Sequence, residues 1–114
     1  ISFKVILIMK VNNLENSILI TLEKKDSPNT LNNEISKNPY KLNNVIIELN
    51  NIIIHDYLSL LKSFCKSHKS IKKSIVIVTD HIDYDKLDLN LVPTLQEALD
   101  YISLEEIERD LNLL

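Results

Sequence analysis

Not one of the 114 residues is glycine. Glycine enters the left-handed backbone region freely, so tight turns here must be built from residues that resist it, and asparagine resists least. The pairs Asn12-Asn13, Asn32-Asn33, Asn43-Asn44 and Asn50-Asn51 therefore read as punctuation between elements. The same absence removes whole classes of chemistry. A phosphate-cradling P-loop and the dinucleotide-binding fingerprint both need backbone positions that only glycine tolerates, so neither can operate in this chain. Ile, Leu, Asn and Lys dominate, whereas Ala98, Gln96 and Arg109 each occur once. AT-rich codons account for that bias, and the expected source is a bacterium with such a genome.

A chain of 13.2 kDa needs most of its apolar residues in one core, which predicts a single domain over residues 1–114. Apolar runs such as Val5–Met9 and Ile52–Ile54 fall far short of a membrane span, so no membrane association is expected. Cys65 is the only cysteine, which excludes an intramolecular disulfide and a thiolate metal cluster and fits a reducing, cytoplasmic location. The opening ISFKVILIMK is too short and too weakly basic for a signal peptide. Met9 offers a start site that would make residues 1–8 an upstream extension.

Periodicity then orders the elements. Phe3–Lys10 and Ser17–Glu23 partly alternate around the Asn12–Asn16 cluster, which predicts an antiparallel strand pair. Ser27-Pro28 offers a cap followed by a proline at the first helical position, opening a short helix that reaches Ser36 and is stopped at Asn38-Pro39. The runs Asn44–Leu49 and Ser74–Thr79 are the β-branched stretches of strands buried on both faces. Between them, Tyr57, Leu61, Phe64, Cys65 and His68 share one helical face, and Lys62, Lys66, Lys69 and Lys73 share the other. The acidic connection Asp80–Asn90 leads to a very short strand at Leu91-Val92. Thr94 with Glu97 forms a capping-box pattern, and Ser103 with Glu106 repeats it. A helix from Leu95 is thus expected to end or kink near Ser103, with an acidic C-terminal helix over 104–114 carrying Leu104, Ile107 and Leu111 as an apolar stripe. Strands alternating with helices argue for an α/β fold built on a mixed β-sheet of four to five strands covered by helices.

NVIIELNN followed at once by a helix, then SIVIVTD, then LVPTLQEALDYI, resembles the STAS domain, the fold of bacterial anti-sigma-factor antagonists. The closing VPTLQEALDYISLEEIERDLNLL is similar to the tail of a family of short bacterial proteins with a STAS-like fold, encoded beside ribonuclease Z and sometimes carrying its name. The resemblance runs from Met9 to the end. It implies a regulatory protein-interaction module in which the third strand leads to a phosphorylatable Ser at the start of the next helix. The matching stretch here, Glu48 to Tyr57, holds no Ser or Thr. The nearest hydroxyl, Ser59, lies one turn inside the helix, so the switch is expected to be missing, with Asp56 beside His55 supplying a fixed negative charge. Ribonuclease Z chemistry needs a His/Asp cluster for two zinc ions, and HxHxDH occurs nowhere in the chain.

His55, His68 and His81 stand one per segment without metal-ligand spacing, so neither metal nor cofactor is expected. Cys65 and His68 could form a dyad, but both fall on the apolar face, where core filling is the simpler role. Charge is the most uneven feature. Residues 1–79 carry 11 Lys against 6 acids, net +5, whereas residues 80–114 carry Lys86 and Arg109 against 10 acids, net −8, in a chain of net charge −3. The expected function is a non-enzymatic regulatory module with a protein partner, whose contact surface combines His55, Asp56, Ser59, Lys62, Lys66 and Lys69 with Glu105, Glu106, Glu108 and Arg109. The alternative is a nucleic-acid-associated accessory protein in RNA metabolism that uses the Lys stripe. A stripe without arginine or interleaved aromatics, in a chain of pI about 5.6, disfavours that alternative.

Overall fold

The computed structural model describes residues 9–37, 40, 42–80 and 89–112. Five strands form one sheet in the order β1 (Lys10–Asn13), β2 (Ser17–Leu22), β3 (Asn44–Leu49), β4 (Ile75–Val78) and β5 (Leu91–Val92). β1 is antiparallel to β2, and every later pair is parallel. The mixed α/β sheet expected from the sequence is therefore present. β2 is buried at all six of its residues, although the sequence of Ser17–Glu23 partly alternates. It lies between two strands and beneath side chains on both faces, an environment in which alternation is lost.

Register sorts the sheet into two apolar layers. Ile18, Ile20 and Leu22 stand beside Val45, Ile47 and Leu49, and these beside Ile75 and Ile77. That face packs against Leu31 and Ile35 of α1 (Pro28–Ile35) and against Leu61 and Phe64 of α2 (Leu58–Ser70). Leu19, Ile46 and Val76 face the other way, onto Ala98 and Ile102 of α3 (Leu95–Asp110). The crossovers from β2 to β3 and from β3 to β4 thus put α1 and α2 on one side, and α3 covers the other. Burial of Leu, Ile and Phe at roughly 1.5–3 kcal/mol each supplies most of the holding energy.

Caps behave largely as read. Ser27 Oγ accepts the Thr30 amide at 3.3 Å while the Ser27 amide donates to Thr30 Oγ1 at 2.8 Å, a full capping box with threonine in the usual Glu position. Thr94 Oγ1 accepts the Glu97 amide at 3.2 Å. The break expected at Ser103 does not occur, and α3 runs unbroken to Asp110. Ser103 is exposed, and neither Gly nor Pro stands near it, so its capping potential loses to continued helical hydrogen bonding. The expected strand Phe3–Lys10 lies almost wholly outside the described residues. So do the extension 1–8, the stop at Asn38-Pro39, the segment 81–88 with His81 and Lys86, and residues 113–114.

Of the asparagine pairs, only Asn50-Asn51 makes a left-handed turn, with Asn51 at φ 56°. Asn12-Asn13 ends β1, Asn32-Asn33 lies inside α1, and Asn44 opens β3, because ladder and helix hydrogen bonds outweigh a weak turn preference. Lys72 does what glycine does elsewhere. It closes α2 at φ 59°, and the next amide, Lys73, donates back to the His68 carbonyl at 3.0 Å. A Cβ in that region costs on the order of 1–2 kcal/mol. Lys72→Gly is therefore expected to raise stability by about 1 kcal/mol, read from the urea midpoint. A lowered midpoint would mean that the Lys72 side chain contributes more than its backbone conformation costs.

Candidate functional site

The edge of the sheet where β2, β3 and β4 begin is polar. Ser17, Asn44 and Ser74 are buried there, with Asn44 only 2% exposed. Asn44 Nδ2 donates to the Asn16 carbonyl at 3.0 Å and to Glu106 Oε1 at 2.6 Å, and Asn44 Oδ1 accepts the Ser74 amide at 2.9 Å. Ser74 Oγ donates to Glu105 Oε1 at 2.7 Å and accepts both Nη groups of Arg109 at 3.1 Å. This network fixes the last turns of α3 on the sheet. Ala98 and Ile102 meet the apolar middle of the strands, and the same helical face, one and two turns on, meets their polar starts through Glu105, Glu106 and Arg109.

The consequence is an inverted last half of α3. The stripe Leu104, Ile107 and Leu111 points outward, exposed to 56%, 55% and 63%. Among the described residues nothing covers it.

Beside the network, α2 and α3 bound a cleft of about 780 Å³ next to the β4–β5 edge. Lys62, Lys66, Lys69, Lys72 and Lys73 line it from one side and Arg109 from the other, and its apolar part includes Cys65, Ile75, Leu89 and Tyr101. Glu105 is its one acidic liner among the described residues. Lys69 lies in the last turn of α2, where the macrodipole favours a cation, but Lys62 lies two turns earlier and Arg109 comes from another helix. Burial raises the Tyr101 phenol above its ordinary value, and the adjacent Glu105 carboxylate raises it further, so Tyr101 stays protonated as a donor.

The residues expected to share one contact surface do not all line one site. Lys62, Lys66, Lys69, Glu105 and Arg109 come together in the cleft, whereas Glu106 turns to Asn44. Glu108 is half-buried on α3. His55 and Asp56 lie in a 3-10 turn (Ile54–Tyr57) after β3, exposed together with Ser59. Ser59 stands about 15 Å along α2 from Lys69, at 1.5 Å per residue, and His55 and Asp56 precede the helix. Sequence reasoning missed Asn44, Ser74 and Tyr101. The signal that could have found the cleft was the spacing of Tyr101, Glu105 and Arg109, the sole arginine, at successive four-residue steps.

His68 and Cys65 form no dyad. His68 is 3% exposed, stacks on Phe64 with ring centroids 4.3 Å apart, and directs Nε2 at the Tyr40 carbonyl, while Cys65 faces the cleft. Among the described residues no cluster of His, Cys, Asp and Glu could hold a metal ion, and no helix is long and apolar enough to cross a membrane. Neither a protein-family model nor a curated protein matches the chain.

Proposed function

We propose that this chain is a non-enzymatic, cytoplasmic regulatory module of STAS-like type that acts by binding a protein, without the phosphoserine switch. The observation that carries this reading is the outward stripe Leu104, Ile107 and Leu111. Three large apolar side chains on one helix face, each more than half exposed, are the kind of patch that marks a protein contact. The face is left outward because the polar face of the same helix is spent on Asn44 and Ser74. The order β-β-α-β-α-β-β-α is compatible with the STAS resemblance. Exposed Asp56 beside exposed Ile53 would give the partner a fixed charge and an apolar contact at the end of β3.

The test uses the tagged full chain and its Leu104→Glu/Ile107→Glu variant, each recovered from the cytoplasm of the source organism. Exposed positions tolerate such changes within about 0.5 kcal/mol, so the variant should unfold at the same urea concentration as the parent. A stoichiometric protein retained by the parent and lost by the variant is the expected result. The same set of proteins on both chains, or none on either at tens of micromolar, would remove the reading.

A further inference from the structure

We infer that the α2–α3 cleft is a binding site for a compact organic polyphosphate, a ligand with two or more linked phosphoryl groups and an apolar or aromatic part. This site is separate from the stripe on α3 and does not depend on what docks there. Three observations carry it.

The first is charge. Five ammonium groups and one guanidinium converge on one concavity with a single carboxylate among the described liners, in a chain whose net charge is −3. None of the five lysines is in an ion pair among the described residues. Like charges crowded this way repel, and an occupant of several negative charges on a small frame relieves the repulsion. Linked phosphates have that charge density. Without glycine the chain lacks the loops that cradle phosphate with backbone amides, and the cations lining the cleft are the phosphate ligands on offer there.

The second is shape and lining. A volume of about 780 Å³ suits a small organic molecule, and Cys65, Ile75, Leu89 and Tyr101 offer it apolar surface. Tyr101, held protonated, adds a hydroxyl and a ring face. The third is order. Arg109 is already anchored through both Nη groups on Ser74 Oγ, so it meets the ligand from a fixed position while the lysines adapt. A long nucleic acid fits less well. An extended polyanion needs a continuous basic track, whereas α3 also exposes Asp100 and Asp110.

The experiment titrates the full chain with adenosine triphosphate, inorganic triphosphate and a 20-nucleotide single-stranded RNA by calorimetry at 50 mM salt. Adenosine triphosphate should bind one to one, at least tenfold more tightly than inorganic triphosphate, and weaken at least tenfold at 500 mM salt through screening. Lys66→Gln/Lys69→Gln, both exposed positions, should weaken it more than tenfold without moving the urea midpoint. Lys10→Gln/Lys24→Gln, outside the cleft, should leave it unchanged. No binding at millimolar nucleotide would overturn the assignment. So would equal affinity for inorganic triphosphate, equal weakening by both double variants, or RNA binding that saturating nucleotide does not displace. If the parent chain retains no protein, or the Leu104→Glu/Ile107→Glu variant retains the same ones, while nucleotide still binds, this site stands and the interaction reading fails.

Discussion

Asn44→Ala is expected to lower the unfolding free energy by about 3 kcal/mol, because it orphans the buried Ser74 amide and the part-buried Asn16 carbonyl at roughly 1–3 kcal/mol each. Asn44 opens β3, and its amide joins three elements. Nδ2 reaches the Asn16 carbonyl and Glu106, and Oδ1 receives the Ser74 amide. Alanine leaves the Ser74 amide and the Asn16 carbonyl without partners where Asn44 is 2% and Ser74 is 3% exposed. Asn44→Asp should be no milder. It keeps the acceptor for Ser74 but places a carboxylate where Nδ2 now stands, 2.6 Å from Glu106 Oε1. Urea unfolding of both variants checks this, and Glu106→Gln closes a double-mutant cycle in which the coupling should be about 1 kcal/mol. A loss below 1 kcal/mol for Asn44→Ala would mean that water replaces the amide. The network also holds the cleft's one guanidinium, because Ser74, positioned by Asn44, is the residue on which Arg109 rests.

What could be read from the chain and what could not divide along the range of the interactions. Asn44–Leu49 and Ser74–Thr79 were legible as buried strands because β-branched runs have few alternatives, and the face of α2 was legible because Tyr57, Leu61, Phe64 and His68 keep one period. Ser27 and Thr94 were legible because a cap acts within one turn. The orientation of α3 was not. Its stripe Leu104, Ile107 and Leu111 has the spacing of a docking face, yet it is the outward face. The choice was made by Asn44 and Ser74, which precede Glu106 and Arg109 by 62 and 35 residues. Pairing of polar groups across that separation leaves no periodicity to read. The cleft was half legible for the same reason. The Lys stripe is local, but its convergence with Arg109 depends on how α3 sits on the sheet.

Lowering the pH from 6.5 to 5 is expected to destabilise the fold through one residue, His68, and His68→Leu should flatten that part of the profile. The Tyr40 carbonyl can only accept, so Nε2, 2.5 Å away, carries the proton of the neutral ring. Nδ1 is then a bare acceptor, buried without a hydrogen bond among the described residues. Burial holds the ring's basicity below its ordinary value of 6.5, against the pull of the Tyr40, Asn43 and Phe64 backbone. The unfolded chain therefore takes up a proton near 6.5 while the folded chain still resists it. Stability is independent of this group above that pH and falls as the pH drops below it, with a slope approaching about 1.4 kcal/mol per unit at most. Glu34 acts in a separate, more acidic window. Its carboxyl is held below its ordinary value of 4.5 by the bond from Lys37 and then by Tyr40, so its contribution is lost only as the pH falls below 4.5. Leucine at position 68 keeps an apolar neighbour for Phe64 but leaves the Tyr40 carbonyl unpaired, a loss of about 2 kcal/mol at pH 7.5. Urea midpoints at pH 7.5, 6 and 5 separate the two effects. The variant should start lower and stay level to pH 5, whereas the parent should start higher and fall towards it. Parallel curves would assign the acid response to the carboxylates instead.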